Sequence, residues 1–149
     1  MHLRTLLLAA LIPLTLAACG EPEDTLPGQP IKHRREAFEK ILHAFEPMGV
    51  QLRENKYDAE SFLKRAQQLQ ELKNGPWEYF KPDTLVPPTH AKAEVWSKPE
   101  QFKTDQEAFL KRVDDLLAAA QTKDLTKIGP AYDSLHTACK DCHKTFKEE

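Results

Sequence analysis

Residues 124–147 read DLTKIGPAYDSLHTACKDCHKTFK, and the spacing of their apolar side chains decides the architecture. Leu125, Ile128, Tyr132, Leu135, Cys139, Cys142 and Phe146 are separated alternately by three and four positions. That is the seam of a helix packed lengthwise against other helices, because residues three and four apart share a helical face. The helix would start at Asp124 and run to about Lys147. Gly129-Pro130 disfavours helix, so a bend or an irregular first turn is expected there. Both cysteines fall on the stripe that should be buried.

One amphipathic helix cannot cover its own stripe, and three upstream segments have the complementary build. The first spans about 31–54, with Ile31, Phe38, Ile41, Leu42, Phe45, Met48 and Leu52 on one face. Pro47 lies inside it and predicts a kink or a break. The second spans about 58–73, with Asp58 as N-cap and Phe62, Leu63, Ala66, Leu69 and Leu72 facing inward. The third opens with Ser97-Lys98-Pro99-Glu100, which reads as a capping box with proline in the first turn. Its stripe is Phe102, Phe109, Val113, Leu116, Leu117 and Ala120. No alternating strand pattern of useful length appears. The expectation is all-α: an antiparallel, up-down-up-down four-helix bundle. Short links join its first two and last two helices. The long link over 74–96 holds Trp77, Phe80 and several prolines, so it should pack on the bundle.

The chemistry sits near the end of the fourth helix, where Cys139-Lys140-Asp141-Cys142-His143 is a C-x-x-C-H haem attachment signature. Two thiols three residues apart share a helical face and can reach neighbouring vinyl groups of one porphyrin. The next residue, His143, then turns its imidazole to the iron. A dithiol redox pair is the first alternative, but such pairs usually open a helix, where the dipole favours thiolate. A zinc site needs four ligands, and no second Cys/His pair stands at a suitable spacing.

The opposite side of the iron decides function, because an electron-transfer cytochrome usually has a second strong ligand there. In an up-down-up-down bundle, the end of helix four meets the start of helix one and the link between helices two and three. Arg34, Phe38, Trp77 and Phe80 should therefore gather at the haem. Met48 lies ten residues beyond Phe38, about 15 Å along the helix, and reads as a core residue. His136 shares a helix with His143 and cannot reach the far face. His33 is off the Phe38 stripe, and His43 reads as a solvent-facing polar residue. His90, in the long link, stays open as a ligand, though a solvent-facing role is favoured for it too. The iron is expected to be five-coordinate with an apolar open face. No positioned general acid or base suggests turnover.

The chain opens with Met1-His2-Leu3-Arg4, and residues 6–18 are almost wholly apolar, the build of a secretory signal peptide. The run is shorter than the roughly 20 residues of a spanning helix, and Pro13 interrupts it. Leu16-Ala17-Ala18-Cys19 resembles the lipobox of bacterial lipoproteins, whose cysteine becomes the lipidated first residue. Lipidation of Cys19 and haem attachment at the other two account for all three cysteines. The prolines, glycines and acids of 20–30 read as a flexible tether. The expected organisation is thus signal peptide 1–18, lipid-anchored tether 19–30 and bundle 31–149. Gly20 stands where an inner-membrane retention signal would have Asp, which favours the outer membrane. Removal of 1–18 takes Arg4 and no acid, leaving 20 Lys+Arg against 23 Asp+Glu. No clustered basic face suggests a nucleic-acid partner.

Taken together, these elements resemble an alpha-type cytochrome c′, a class II c-type cytochrome, in lipoprotein form. The resemblance rests on Cys139 to His143, on Arg34 followed four residues later by Phe38, and on Pro76, Trp77 and Phe80. Val95-Trp96-Ser97 followed by Phe102 completes the order. It implies one covalently bound haem c per chain, with high-spin, five-coordinate iron that binds nitric oxide, and carbon monoxide more weakly. It also implies a periplasmic homodimer packed through the first two helices, with Arg34 and Arg35 at a haem propionate. Trp77 and Phe80 would wall the haem. Two positions depart from the family pattern. The distal residue is usually aliphatic, such as Leu, and here is Phe38. The residue four beyond the histidine is commonly Arg, and here is Lys147, which keeps the charge but loses the planar fork. The function expected is a membrane-anchored nitric-oxide-binding protein that protects against the gas. A membrane-tethered carrier with an as yet unknown electron donor is the alternative, and a structural lipoprotein without haem a weaker third.

Overall fold

The computed structural model describes residues 22–148, so the expected signal peptide and Cys19 lie outside the described residues. Four long helices form the bundle: α1 (Pro30–Arg53), α2 (Ala59–Leu72), α4 (Pro99–Thr122) and α5 (Leu125–Phe146). A 3-10 turn at Trp77–Tyr79 and a single turn, α3 (Glu94–Ser97), punctuate the long link. Among the described residues the extended chain pairs once, in an antiparallel bridge between Ala91 and Lys147.

Helix α1 starts at Pro30 without a local side-chain cap. Its free N–H groups are met from upstream: Asp24 Oδ2 accepts from Ile31 N at 2.7 Å and Lys32 N at 3.0 Å. Asp24 Oδ1 accepts from Leu26 N at 3.1 Å, closing the segment into a compact lead-in. Asp24 and Pro30 are buried, so the expected tether does not extend as far as residue 30. An acidic side chain at an open helix N-terminus is the reason it docks.

Pro47 neither breaks α1 nor ends it, and the helix runs on to Arg53. Proline removes the donor that would satisfy the carbonyl four residues back. Here Arg65 of α2 supplies a substitute, Nη1 donating to His43 O at 3.4 Å. Two positions later the Tyr132 side chain presses on the helix backbone: a Cβ at Gly49 would lie 2.1 Å from the Tyr132 hydroxyl. Glycine leaves that hydroxyl its room, and Tyr132 stacks on Phe45 with ring centres 4.5 Å apart.

Helix α2 is capped as expected, Asp58 accepting from Ser61 N, and α5 is capped in the same way by Asp124, which accepts from Thr126 N. The capping box at Ser97 does not form. Ser97 closes α3, and Lys98 is the N-cap of α4 without a side-chain bond, because the short α3 takes the backbone that a Ser97 cap would need. The irregular first turn expected at Gly129-Pro130 is also absent, and α5 is continuous. Pro130 falls early in the helix, where the carbonyl it leaves unpaired belongs to exposed Thr126 and faces water.

The core fills with the expected stripes. Met48, Phe62, Leu69, Val113, Leu116, Ile128 and Leu135 are almost wholly buried, each contributing about 1.5–3 kcal/mol of apolar transfer. Two seam positions fall outside it: Leu42 is 44% exposed and Leu125 49%. Leu125 is the first residue of α5, and no facing helix reaches past it.

Candidate haem site

Buried Ile128, Tyr132 and Leu135 fix the rotation of α5 in the bundle. The same periodicity leaves Cys139 and Cys142 half-buried, one turn apart on the inner side, and carries His143 out to an exposed position beside them. Cys139 packs against the main core, and both thiols are free. Burial pushes the Cys139 thiol up to about 11. Burial first, then Asp105 and Cys139, pushes Cys142 up to about 12. Both are thus protonated at neutral pH, unlike the activated thiolate of a redox dithiol. Desolvation, with a smaller push from Lys147, lowers the His143 imidazole below its usual value, so its lone pair is free at neutral pH. Among the described residues no cluster of three or more His, Cys, Asp or Glu could hold a bare metal ion.

The long link folds onto this end of the bundle, with Pro76, Thr84 and Val95 buried. Phe38 meets the Trp77 ring edge-on at 5.6 Å and the Phe80 ring at 6.3 Å. Phe80 packs on Phe102 at 4.9 Å, and Phe102 on Phe146, one turn beyond Cys142, at 5.2 Å. Trp77 is pinned by its Nε1, which donates to Lys73 O at 2.7 Å. The four side chains expected at one end are thus brought together, and a chain of rings joins them to the haem-motif helix.

Arg34 is buried, and its guanidinium is largely committed to the long link. Nη1 donates to Tyr79 O at 3.3 Å and Thr84 Oγ1 at 3.2 Å, and Nη2 to Thr89 Oγ1 at 2.6 Å. Burial lowers it to about 10, with the Asp24 charge acting in the opposite sense. Arg35 faces outward, its Nε 3.8 Å from Glu39 Oε1, and lines a small cleft with Pro22, Pro88, His90 and Glu148. Sequence reasoning missed Asp24, Thr84 and Thr89. Their only sequence signal is polarity in Pro-rich segments, whereas their role comes from what folds against them.

The spare candidates for a sixth ligand are placed elsewhere, His43 among them, exposed on α1. Met48 is completely buried in the core. His33 stacks on Tyr79, His136 lies beside Tyr132, and His90 lines the outer cleft. A second cleft, about 460 Å³ between α4 and α5, is lined by Asp105, Asp133 and Asp141 and by neither thiol nor His143. The residues present fit a c-type haem: two protonated thiols on one face, a neutral imidazole next to them, and an aromatic wall.

The comparisons agree with that fit. The family model described as cytochrome C′ matches residues 29–147. Cytochrome c′ of Alcaligenes xylosoxydans xylosoxydans is 30% identical over 131 residues, covering 87% of this chain and 98% of that protein. The Rubrivivax gelatinosus protein is 33% identical over 125 residues, covering 83% and 97%. Cytochrome c prime from Shewanella frigidimarina superposes with a TM-score of 0.80 at 30% identity, covering 84% of this chain and 98% of that one. A variant of the Alcaligenes xylosoxidans protein, solved as its nitric oxide complex, gives 0.76 at 29% identity, covering 85% and 100%. The chain belongs to the cytochrome c′ family, whose members carry covalently attached haem c.

Proposed function

We propose that this chain is a periplasmic haem protein that binds nitric oxide, and carbon monoxide, and so protects against nitric oxide. Cys139 and Cys142 would hold haem c through thioether links, and His143 would bind its iron. When bound, haem c supplies an open coordination position for a diatomic molecule. Phe38, Trp77 and Phe80 wall that position and exclude water. Arg34 holds the wall in place and has donors left for a propionate, with Arg35 on the outer side. The observation that carries the reading is the lack of a second strong ligand: Met48 is sealed in the core and the spare histidines lie outside the ring cluster. Relatives in this family have been solved with nitric oxide or carbon monoxide bound, which supports the same choice.

Lipidation of Cys19, in the outer membrane, would hold the domain to the periplasmic face. Exposed Leu42 and Val50 on the outer side of α1 suit a homodimer built on the first two helices. The test is an absorption titration of the ferrous protein with nitric oxide and carbon monoxide. The reading requires a high-spin spectrum at the start and saturable binding of both gases. A low-spin, six-coordinate spectrum without added ligand would overturn it in favour of a tethered electron carrier.

A further inference from the structure

The geometry points to a second membrane contact: the Leu85–Val86 tip of the long link inserts among lipids beside the anchor. This rests on the lipid-anchor reading of Cys19. Leu85 is 46% exposed and Val86 39%, and among the described residues they are the one adjacent pair of exposed large hydrophobics. Single exposed apolar residues are ordinary. A neighbouring pair at the tip of the uncharged stretch Thr84 to Pro88 is a patch aimed outward.

The base of the tip is held firmly. Thr84 is buried, its Oγ1 donating to Lys81 O at 2.7 Å and accepting from Arg34. Thr89 N donates to Val86 O at 3.0 Å, and Trp96 Nε1 to Lys81 O at 3.0 Å. The two apolar side chains are therefore presented by a fixed platform.

Position selects the occupant. Pro22, Pro87 and Pro88 line one cleft, so the first described residues lie against the base of the tip. Cys19 is three residues before Pro22, and three residues span at most about 10 Å. A lipid on Cys19 must enter the bilayer close to the side that carries Leu85 and Val86. Leu42 and Val50 on α1, and Leu125 at the start of α5, lie outside the cleft and the segment next to it. One lipid anchor leaves a domain free to tumble, and a second apolar contact fixes its orientation.

The experiment uses the lipidated full-length holoprotein in vesicles of phosphatidylethanolamine and phosphatidylglycerol doped with a diazirine-acyl phospholipid. After illumination, mass spectrometry locates the adducts. A lipid-carrying Cys19 peptide and adducts on the Leu85–Val86 peptide are expected, with none on the exposed Lys103–Glu107 face of α4. The double variant Leu85→Asp, Val86→Asp should lose most of the tip adduct while still pelleting with the vesicles. If the chain pellets and Cys19 carries lipid but the tip stays unlabelled, the second contact is wrong and the anchor stands. If Cys19 carries no lipid and the chain stays in solution, both fall.

Discussion

The Arg34 guanidinium carbon sits 4.4 Å from the centre of the Phe80 ring, tying the start of α1 to the aromatic cluster. The same group donates three hydrogen bonds to the long link, so one side chain fixes both the ring and the loop that bears it. Arg34→Ala is expected to lower stability by about 3 kcal/mol, from lost charged hydrogen bonds and a desolvated cation–π contact. Arg34→Lys keeps the charge without the fork and should recover about half of the loss. Denaturant unfolding of the haem-loaded protein measures both. A loss below about 1 kcal/mol for Arg34→Ala would contradict this role.

Asp24 gives the fold an acid-sensitive joint. Burial pushes its carboxyl up, but N–H groups of Lys32, Leu26 and Ile31 and the Arg34 charge outweigh it, leaving the pKa below 3.8. A carboxylate depressed in the folded state stabilises above its unfolded pKa, and the contribution disappears as pH falls through the folded value. Asp24→Ala should therefore cost about 1–2 kcal/mol at pH 7, the usual worth of a lost cap. The gap between wild type and variant should close below about pH 4, where the unfolded carboxyl begins to take up its proton. Unfolding curves at stepped pH provide the check. A gap independent of pH would mean that the carboxylate charge is not what matters.

Gly49 and Gly129 are both helical and make different predictions. A Cβ at Gly49 meets the Tyr132 hydroxyl at 2.1 Å and Arg53 at 2.8 Å, so something must move. Gly49→Ala is expected to destabilise by about 1–3 kcal/mol, overpacking exceeding the propensity gain. A Cβ at Gly129 meets nothing within 4 Å. Gly129→Ala gains about 1 kcal/mol of helix propensity, but a Cβ before Pro130 is disfavoured in a helix, so the net change should stay within about 1 kcal/mol of zero. Melting temperatures of the pair test the packing argument independently of haem chemistry.

The two thiols can be separated by their products. Cys139→Ser or Cys142→Ser leaves one sulfur able to form a thioether, and haem should still stain the denatured band. The double variant should lose that stain entirely, because His143 alone holds haem only in the folded protein. Staining that survives the double substitution would place the attachment elsewhere.

How much of this was legible in the sequence depends on the kind of force involved. The helices were readable because burial imposes a period of three and four that Ile128, Tyr132 and Leu135 obey strictly. The thiol and imidazole positions follow from the same helix. Gathering Arg34, Phe38, Trp77 and Phe80 at one end followed from topology. What escaped was decided by contacts between segments far apart in the chain. Nothing near Pro47 announces that Arg65 will satisfy His43, and nothing near Asp24 marks it as the cap of a helix six residues away. Leu42 and Leu125 match the period yet face solvent, because a stripe says which side is apolar and not how far the neighbouring helix extends.

Among Phe38, Trp77 and Phe80, Phe38 is the ring that no polar or charged group pins. Trp77 is fixed by its indole bond to Lys73 O, and Phe80 by the guanidinium stacked on it. Phe38 is half-buried, packing against the core and meeting those two rings at 5.6 and 6.3 Å, with no cation stacked on it. A ligand entering beside it must displace the ring, since the two pinned rings cannot give way as easily. That displacement forfeits dispersion contacts on every binding event. Phe38→Ala should therefore raise carbon monoxide affinity at least about tenfold, some 1.4 kcal/mol, with Phe38→Leu in between. The stability cost should stay below the roughly 3–5 kcal/mol of a fully buried Phe→Ala change, because the ring is partly exposed already. Carbon monoxide titration of the three ferrous proteins decides the matter. Affinities within a factor of about two would show that Phe38 does not obstruct the site.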